Sequence, residues 1–384
     1  MNTGVEDAGG LRFDRAEWAA AFADLGSFIP FVVAYVTVLK MDPVGILLAF
    51  GVALVGCGLL YRTPVPVQPM KAIGALAVAQ AGVLGGGITA ATVAAASLVT
   101  GVLWLLLGAS GAAGRLARLI PKQVVAGIVA GLGLSFMLQG GRMMAGDWLA
   151  AAVAFAIAVC LRRSRRFPAM LILLAAGFAY GVFQAPALWE AANFGFAPRL
   201  PGLALGELRW HDFVAGTLLL ALPQLPLTMG NAVIATGEEN NRLFPQRPAS
   251  VRKLALSTGA INLAGGLVGG IPMCHGAGGM AAYTAFGARS GGAPIIFGLT
   301  LALLALCFSD SIGFLLQVVP AAVLGTILLL AGGRLVMGNL PRAAGWRTLL
   351  AVVLTALAAM WNVGLGFVVG LVLHWVLHWA LRRI

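Results

Sequence analysis

Two stretches of this chain place prolines and glycines where an apolar segment would otherwise continue as a helix. They are Thr63-Pro64-Val65-Pro66-Val67-Gln68-Pro69-Met70-Lys71 and Gly269-Gly270-Ile271-Pro272-Met273-Cys274-His275-Gly276-Ala277-Gly278-Gly279. Proline inside a helix removes an N–H donor and clashes with the preceding turn. Of the 384 residues, 60% are hydrophobic and only 10% are charged, against about a quarter charged in a soluble domain. A water-facing surface of ordinary area cannot be built from this composition, so the chain is an all-α polytopic membrane protein. Inside a bilayer, non-helical backbone survives only where protein or a water-filled cavity covers it. Paired broken segments in corresponding halves point to the substrate site of a secondary transporter.

Allowing roughly 15 to 25 residues per span, the apolar pattern predicts fourteen. The first seven lie near 20–39, 44–61, 64–84, 88–109, 119–139, 147–161 and 168–186. The second seven lie near 212–236, 251–268, 270–287, 292–309, 315–336, 346–361 and 363–381. Met1 to Glu17 is polar and carries acids, so no cleavable leader is expected. Of the 25 Lys and Arg residues, twenty fall on the amino-terminal side of the membrane. Lys40, Arg142, Arg199 and Arg209 fall on the other side, and Lys71 falls within a span. The positive-inside rule then sets both termini in the cytoplasm of a multi-pass protein of the inner or plasma membrane. The net charge of +12 is spread over short loops and makes no nucleic-acid face. Cys57, Cys160, Cys274 and Cys307 have no metal-type spacing and read as small apolar residues. The sequence asks for no metal and no cofactor, and no G-x-x-x-x-G-K-[ST] loop for ATP is present.

The halves match in order. Ile120-Pro121 corresponds to Val319-Pro320, and Gln68-Pro69-Met70 corresponds to Ile271-Pro272-Met273. Seven spans per copy is odd, so the second copy inserts upside down, giving a 7+7 inverted repeat. In each broken span a short extended strand is expected to lead into a half-helix, opening near Pro69 and near Gly276. Inversion turns the two amino ends toward each other. Each offers unpaired N–H groups and about half a positive charge, and together they suit an anion.

The candidate substrate-binding residues are therefore Gln68, Pro69, Met70 and Lys71 in one segment and His275, Gly276, Ala277 and Gly278 in the other. A cation in the first turn of a helix at membrane depth is unfavourable unless an anion meets it. That anion is either a ligand or Asp24, the coupling candidate. Gly276, Gly278 and Gly279 would let a ligand approach the backbone or allow tight packing. Gln224, Thr228 and Asn231 share one face of the eighth span, and Gln224 and Thr228 join the candidate site. Glu238-Glu239-Asn240-Asn241 reads as a solvated loop.

Pro64 to Lys71 and Pro272 to Gly279 resemble the two signature motifs of the molybdate transporter family, relatives of the sulfate permeases. Asp24-Leu25-Gly26-Ser27-Phe28-Ile29-Pro30, Pro223-Gln224-Leu225-Pro226-Leu227-Thr228 and Phe286-Gly287-Ala288-Arg289-Ser290-Gly291 resemble that family's first span, eighth span and the segment after its second motif. The resemblance implies a uracil-permease-like fold. After an amino-terminal segment 1–19, a core domain takes residues 20–110 and 211–310. A gate domain takes 111–210 and 311–384. It also implies elevator-type alternating access, commonly in a homodimer. The wider sulfate permease group has a cytoplasmic regulatory domain for which no room is left before Ile384, and Asn231 stands near where many relatives carry an acid, which puts coupling through that span in doubt.

The implied substrate is a tetrahedral oxyanion, molybdate or sulfate, taken up from one side of the bilayer. Other small anions remain open, as does a nucleobase on the same fold, which an aromatic stacking residue in the site would favour. A membrane enzyme using Cys274 and His275 is disfavoured, because adjacent residues rarely direct both side chains to one reacting atom.

Overall fold

The computed structural model describes residues 10–71, 73–74, 88–118, 120–161, 169–190, 195–339, 345–361 and 363–379. The rest of the expected third span after Gly74 and the basic loop Arg162–Arg166 lie outside the described residues. In chain order the helices are α1 (Arg15–Ala21), α2 (Leu25–Val38), α3 (Pro43–Tyr61), α4 (Ala90–Ala109), α5 (Ala112–Arg118), α6 (Lys122–Met144), α7 (Trp148–Leu161), α8 (Ala169–Gln184) and α9 (Pro186–Glu190). Then follow α10 (Trp210–Leu243), α11 (Val251–Leu267), α12 (Ala277–Ala285), α13 (Gly292–Cys307), α14 (Ile312–Val318), α15 (Ala321–Asn339), α16 (Trp346–Trp361) and α17 (Val363–Trp379). Two short strands, β1 (Gln68–Pro69) and β2 (Met273–Cys274), form one antiparallel pair.

Among the described residues, α3, α4, α6 and α10 are long and apolar enough to cross a bilayer, and α14 with α15 makes a fifth such unit bent by 72°. Their outer faces expose Leu59, Val102, Leu106 and Leu218, as a lipid surround makes tolerable. Inside, Asp24, Ser27, Gln68, Ser257, Asn262 and His275 are buried at or beside the two strands. This is a multi-pass membrane protein.

Helix packing follows a pattern of exchange. α3 packs along α13, α4 packs along α11, and α6 packs along α15. On the repeat expected from the sequence, α3 would correspond to α11, α4 to α13 and α6 to α15, so that the first two contacts swap and the third maps onto itself. Glycines make these seams close. A Cβ on Gly140 would fall 2.5 Å from the Gly325 carbonyl oxygen, and one on Gly325 would fall 2.6 Å from that of Gly140. Without lipid–helix hydrophobic contrast, such small-residue contacts are how membrane helices gain packing energy.

Four expectations change in detail. The stretch expected as one span over 20–39 opens with a separate helix, α1, whose Glu17 is buried. Its carboxylate accepts from the N–H groups of Arg289, Ser290 and Ala293 at 2.8–2.9 Å, so an acid from afar caps α13, which Gly291 cannot cap itself. The expected span 315–336 is broken at Pro320, because Val319 before it takes extended backbone (φ −81°, ψ 118°), the conformation a residue preceding proline prefers. Pro121 likewise stands between short α5 and long α6 with φ −65° and ψ 144°. The eighth span runs past 236 to Leu243. It includes two π-helical stretches, Gly216–Ala221 and Thr228–Ala235, either side of the turn holding Pro223 and Pro226. Each proline withholds an N–H from the ladder, and slipping to i→i+5 bonding repairs the pattern. Finally, Glu238–Asn241 is no solvated loop. It is the last turns of α10, and Glu239 and Asn240 are buried. Asn240 accepts from Thr63 Oγ1 at 2.7 Å and donates to the Arg247 carbonyl at 2.8 Å, which removes its need for water.

Candidate anion site at two broken spans

In the strand pair, Gln68 stands opposite Cys274 and Pro69 opposite Met273, and Met70 N–H donates to the Pro272 carbonyl at 2.9 Å. Each segment therefore satisfies in the other the backbone groups that proline denies it as a helix, which is what a break at membrane depth requires. A helix leaves each strand. The first opens with the Gly74 N–H to Met70 carbonyl bond of 2.9 Å. The second is α12, with Gly276 as N-cap and no side-chain cap. The contrast with α3, α4 and α11 is informative, because Asp42, Thr89 and Ser250 cap those three. Among the described residues, no acceptor meets the N–H groups of Ala277, Gly278 and Gly279.

Gln68 is held firmly. Its Nε2 donates to Asp24 Oδ1 at 2.6 Å and to Ser27 Oγ at 2.8 Å, and Ser27 Oγ donates in turn to the Asp24 carboxylate. With its nitrogen so occupied, the amide turns Oε1 toward Gly276, where a Cβ would collide with it. At Gly279 a Cβ would lie 2.8 Å from Gln68 Nε2 and 2.9 Å from Asp24 Oδ2. The glycines of the second motif thus make room first for the chain's own Gln68 and Asp24.

Lys71 is half-buried, and its Nζ lies 3.7 Å from the centroid of the Phe136 ring. The same ring fills the position of a Cβ on Gly278. Phe136, from α6, therefore touches both helix starts. Among the described residues Lys71 makes no ion pair, and Asp24 spends its carboxylate on Gln68 and Ser27 instead. Gln224 Oε1 accepts the Ile73 N–H at 3.3 Å, capping the first half-helix from α10, and Gln224 Nε2 donates to Thr228 Oγ1 at 3.1 Å. Asn231 Oδ1 is buried without a hydrogen-bond partner.

His275 faces the other way. Its Nδ1 donates to the Pro66 carbonyl at 2.9 Å, which leaves Nε2 to accept from Ser257 Oγ at 2.7 Å; this assigns the tautomer from its partners. Tyr61 Oη lies 2.7 Å from the same Ser257 oxygen, and the Tyr61 ring meets the imidazole edge-on. Nδ1 thus ties the second broken segment to the first and Nε2 ties it to α11, and Cys274 is not their partner. Pro69 and Met70 lie in and just after β1, and Ala277 opens α12, all buried.

Sequence reasoning missed three contributors. Asn262 on α11 acts as a surrogate strand for β2: Oδ1 accepts the Met273 N–H at 2.9 Å, and Nδ2 donates to the Met273 carbonyl at 2.5 Å and to Thr258 O at 2.7 Å. An amide in the middle of an apolar span was the signal available. Phe136 and Ser257 gave none, being an ordinary aromatic and an ordinary small residue in their spans.

The chain matches the family model described as a molybdate transporter of the MFS superfamily over residues 16–136 and 216–335. It is 31% identical to molybdate transporter 2 of Arabidopsis thaliana over 84% of this chain and 78% of that protein. It is 28% identical to molybdate transporter 1 of the same plant over 94% and 87%. A molybdate transporter 1 of Chlamydomonas reinhardtii is 41% identical over 54% of this chain and 40% of its own. In fold the chain is similar to the transmembrane domain of a cyanobacterial bicarbonate transporter, with TM-score 0.57 and 16% identity, covering 94% of this chain and 98% of that one. It is also similar to the murine solute carrier 26 family member A9 anion transporter, with TM-score 0.61 and 14% identity, covering 97% and 69%. The two matched stretches carry the elements that build the site, from Asp24 through Lys71 to Phe136 and from Gln224 to Gly279. By that match, the chain belongs to the molybdate transporter family.

Proposed function

We propose that the protein is a secondary transporter for a tetrahedral oxyanion, molybdate, bound between the starts of the two half-helices. The observation that carries this reading is the pair of broken segments whose helix starts share one neighbour, Phe136, beside the cation Lys71. Uncapped N–H groups on α12 and the Lys71 ammonium supply donors, and a fully deprotonated oxyanion can only accept. The relatives named as molybdate transporters support the choice of substrate.

The exchange of contacts between α3, α4, α11 and α13 supports a 7+7 inverted repeat. On this reading fourteen spans form a core (spans 1–4 and 8–11) that moves as an elevator against a gate (spans 5–7 and 12–14), with both termini in the cytoplasm of the inner or plasma membrane. Single cysteines introduced into the loops test the orientation with a membrane-impermeant maleimide. The Arg162–Arg166 loop should label only from the cytoplasm and the loop before α10 only from outside; reversed labelling would reject it.

One observation favours the nucleobase reading, the aromatic ring of Phe136 beside the site. Its face is already covered by Lys71, and a neutral base has no use for that cation. Calorimetric titration of the purified protein with molybdate, tungstate, sulfate and uracil separates the readings. Molybdate is expected to saturate and uracil to give no heat. Lys71→Ala should weaken molybdate binding roughly tenfold or more, as loss of a hydrogen bond to a charged group costs about 1.5–3 kcal/mol. Equal affinity in the variant and the native protein would reject the site.

A further inference from the structure

Gln68 meets the helix starts with the wrong end of its amide. Its nitrogen is committed to Asp24 and Ser27, so Oε1, an acceptor, lies against Gly276 where the second helix opens. A carboxylate only accepts hydrogen bonds, so while Asp24 is ionised the amide nitrogen must face it. An oxyanion also only accepts, so in this orientation Gln68 offers the ligand no donor and sets an acceptor beside the helix start.

We infer that Asp24 is the positioning residue for Gln68: a proton on Asp24 lets the amide turn over, so that Asp24 donates to Oε1 and Nε2 is released to the bound oxyanion. This rests on the site proposed above and adds a coupling route to it. In the ionised state, Asp24 Oδ1 accepts from Nε2 and from Ser27. In the protonated state the new carboxylic O–H donates to Oε1, the amide presents its two N–H groups to the ligand, and Ser27, which both donates and accepts, serves either orientation. One proton enters with each oxyanion, and the negative charge facing the ligand from Asp24 is removed in the same step.

The groups around Asp24 fit this assignment. From β1 and the helix after it come Gln68 and Lys71, from β2 Cys274, and from α12 Gly279 and Tyr283; Lys71, Cys274 and Tyr283 are the ionisable ones that feel its charge. α15 presents Leu324 and Leu328 beside Gly26, and α3 presents Phe50 beside Phe28. Tyr283 Oη is fully buried without a hydrogen-bond partner.

Calorimetric titration of the full-length protein with sulfate, which stays a dianion throughout, tests it at several values between roughly pH 6 and pH 8, where one linked proton gives at most about tenfold in affinity per pH unit. Molybdate at low concentration serves as the second probe. The native protein should bind more tightly as pH falls and take up one proton per anion, read from titrations in buffers of different ionisation enthalpy. Asp24→Asn, whose amide donates to Oε1 at any pH, should bind tightly with a flat profile. Gln68→Met keeps the carboxylate but removes the amide, and should lose most of the pH dependence along with affinity. A native slope retained in Asp24→Asn or in Gln68→Met would overturn the relay, as would an Asp24→Asn protein that binds weakly at every pH. A Lys71→Ala protein with native affinity would overturn the site itself, an outcome distinct from any of these.

Discussion

Gly276→Val is expected to abolish oxyanion binding, by about a hundredfold or more, because the loss falls on bonds to a charged group worth about 1.5–3 kcal/mol each. A Cβ at this position meets the Gln68 amide before anything else. That amide cannot retreat, since Asp24 and Ser27 hold its nitrogen at 2.6 and 2.8 Å. The branched side chain must therefore expel Gln68 or unseat the N-cap of α12. Valine is also among the poorest N-cap residues. Gly141→Ala on α6 is the control, because nothing lies within 4 Å of a Cβ there, and it should bind as the native protein does. Titration with molybdate reads both, with size-exclusion profiles as the check on folding. Native affinity in Gly276→Val would show that Gln68 and the helix start are not part of the site.

Asn262→Leu is expected to be the most damaging substitution for stability away from the ligand. Its amide closes both backbone groups of Met273 and adds the Thr258 carbonyl. Leucine of similar size leaves a buried N–H and a buried carbonyl unpaired, at about 1–3 kcal/mol apiece, so a loss of roughly 2–6 kcal/mol follows. Asn262→Asp keeps an acceptor for the Met273 N–H but offers its carbonyl no donor, and should fall between the two. Thermal unfolding in detergent, followed by tryptophan fluorescence, ranks the three. An Asn262→Leu protein melting with the native one would mean that β2 is held by its pairing with β1 alone.

The contrast between what could and could not be read in advance follows from the range of the interactions. The two breaks were legible because their cause is local: Pro64, Pro66 and Pro69 fall within six residues, and Pro272 follows Gly269-Gly270, so neither stretch can hold a continuous helix. Pro121 and Pro320 were legible as landmarks but not as bends, since the direction of the chain after a proline is set by what it packs against. The partners of the broken segments were hidden, because each lies far off in sequence. His275 bonds a carbonyl 209 residues away, and Thr63 meets Asn240 across 177. A polar run such as Glu238–Asn241 looks solvated on composition alone. Its burial depends on Thr63 and the 247–249 backbone arriving beside it. The π-helical slips of α10 were invisible for a related reason: two prolines announce missing donors without stating which carbonyl will do without.

α10 has a consequence for how the site is held. A rod of 34 residues is about 50 Å long at 1.5 Å per residue, against about 30 Å of hydrocarbon. Even tilted by 40°, the limit of the usual range, it spans about 38 Å, so one end must overhang the lipid. The overhang is the charged turn with Glu238, Glu239 and Arg242, and there Asn240 grips Thr63 just before the first break. Further back along the same rod, Gln224 grips Ile73 just after it. The helix is thus a splint bound to the fracture on both sides, at Thr63 and at Ile73: wherever α10 goes, those two ends of the candidate site's first segment are carried along.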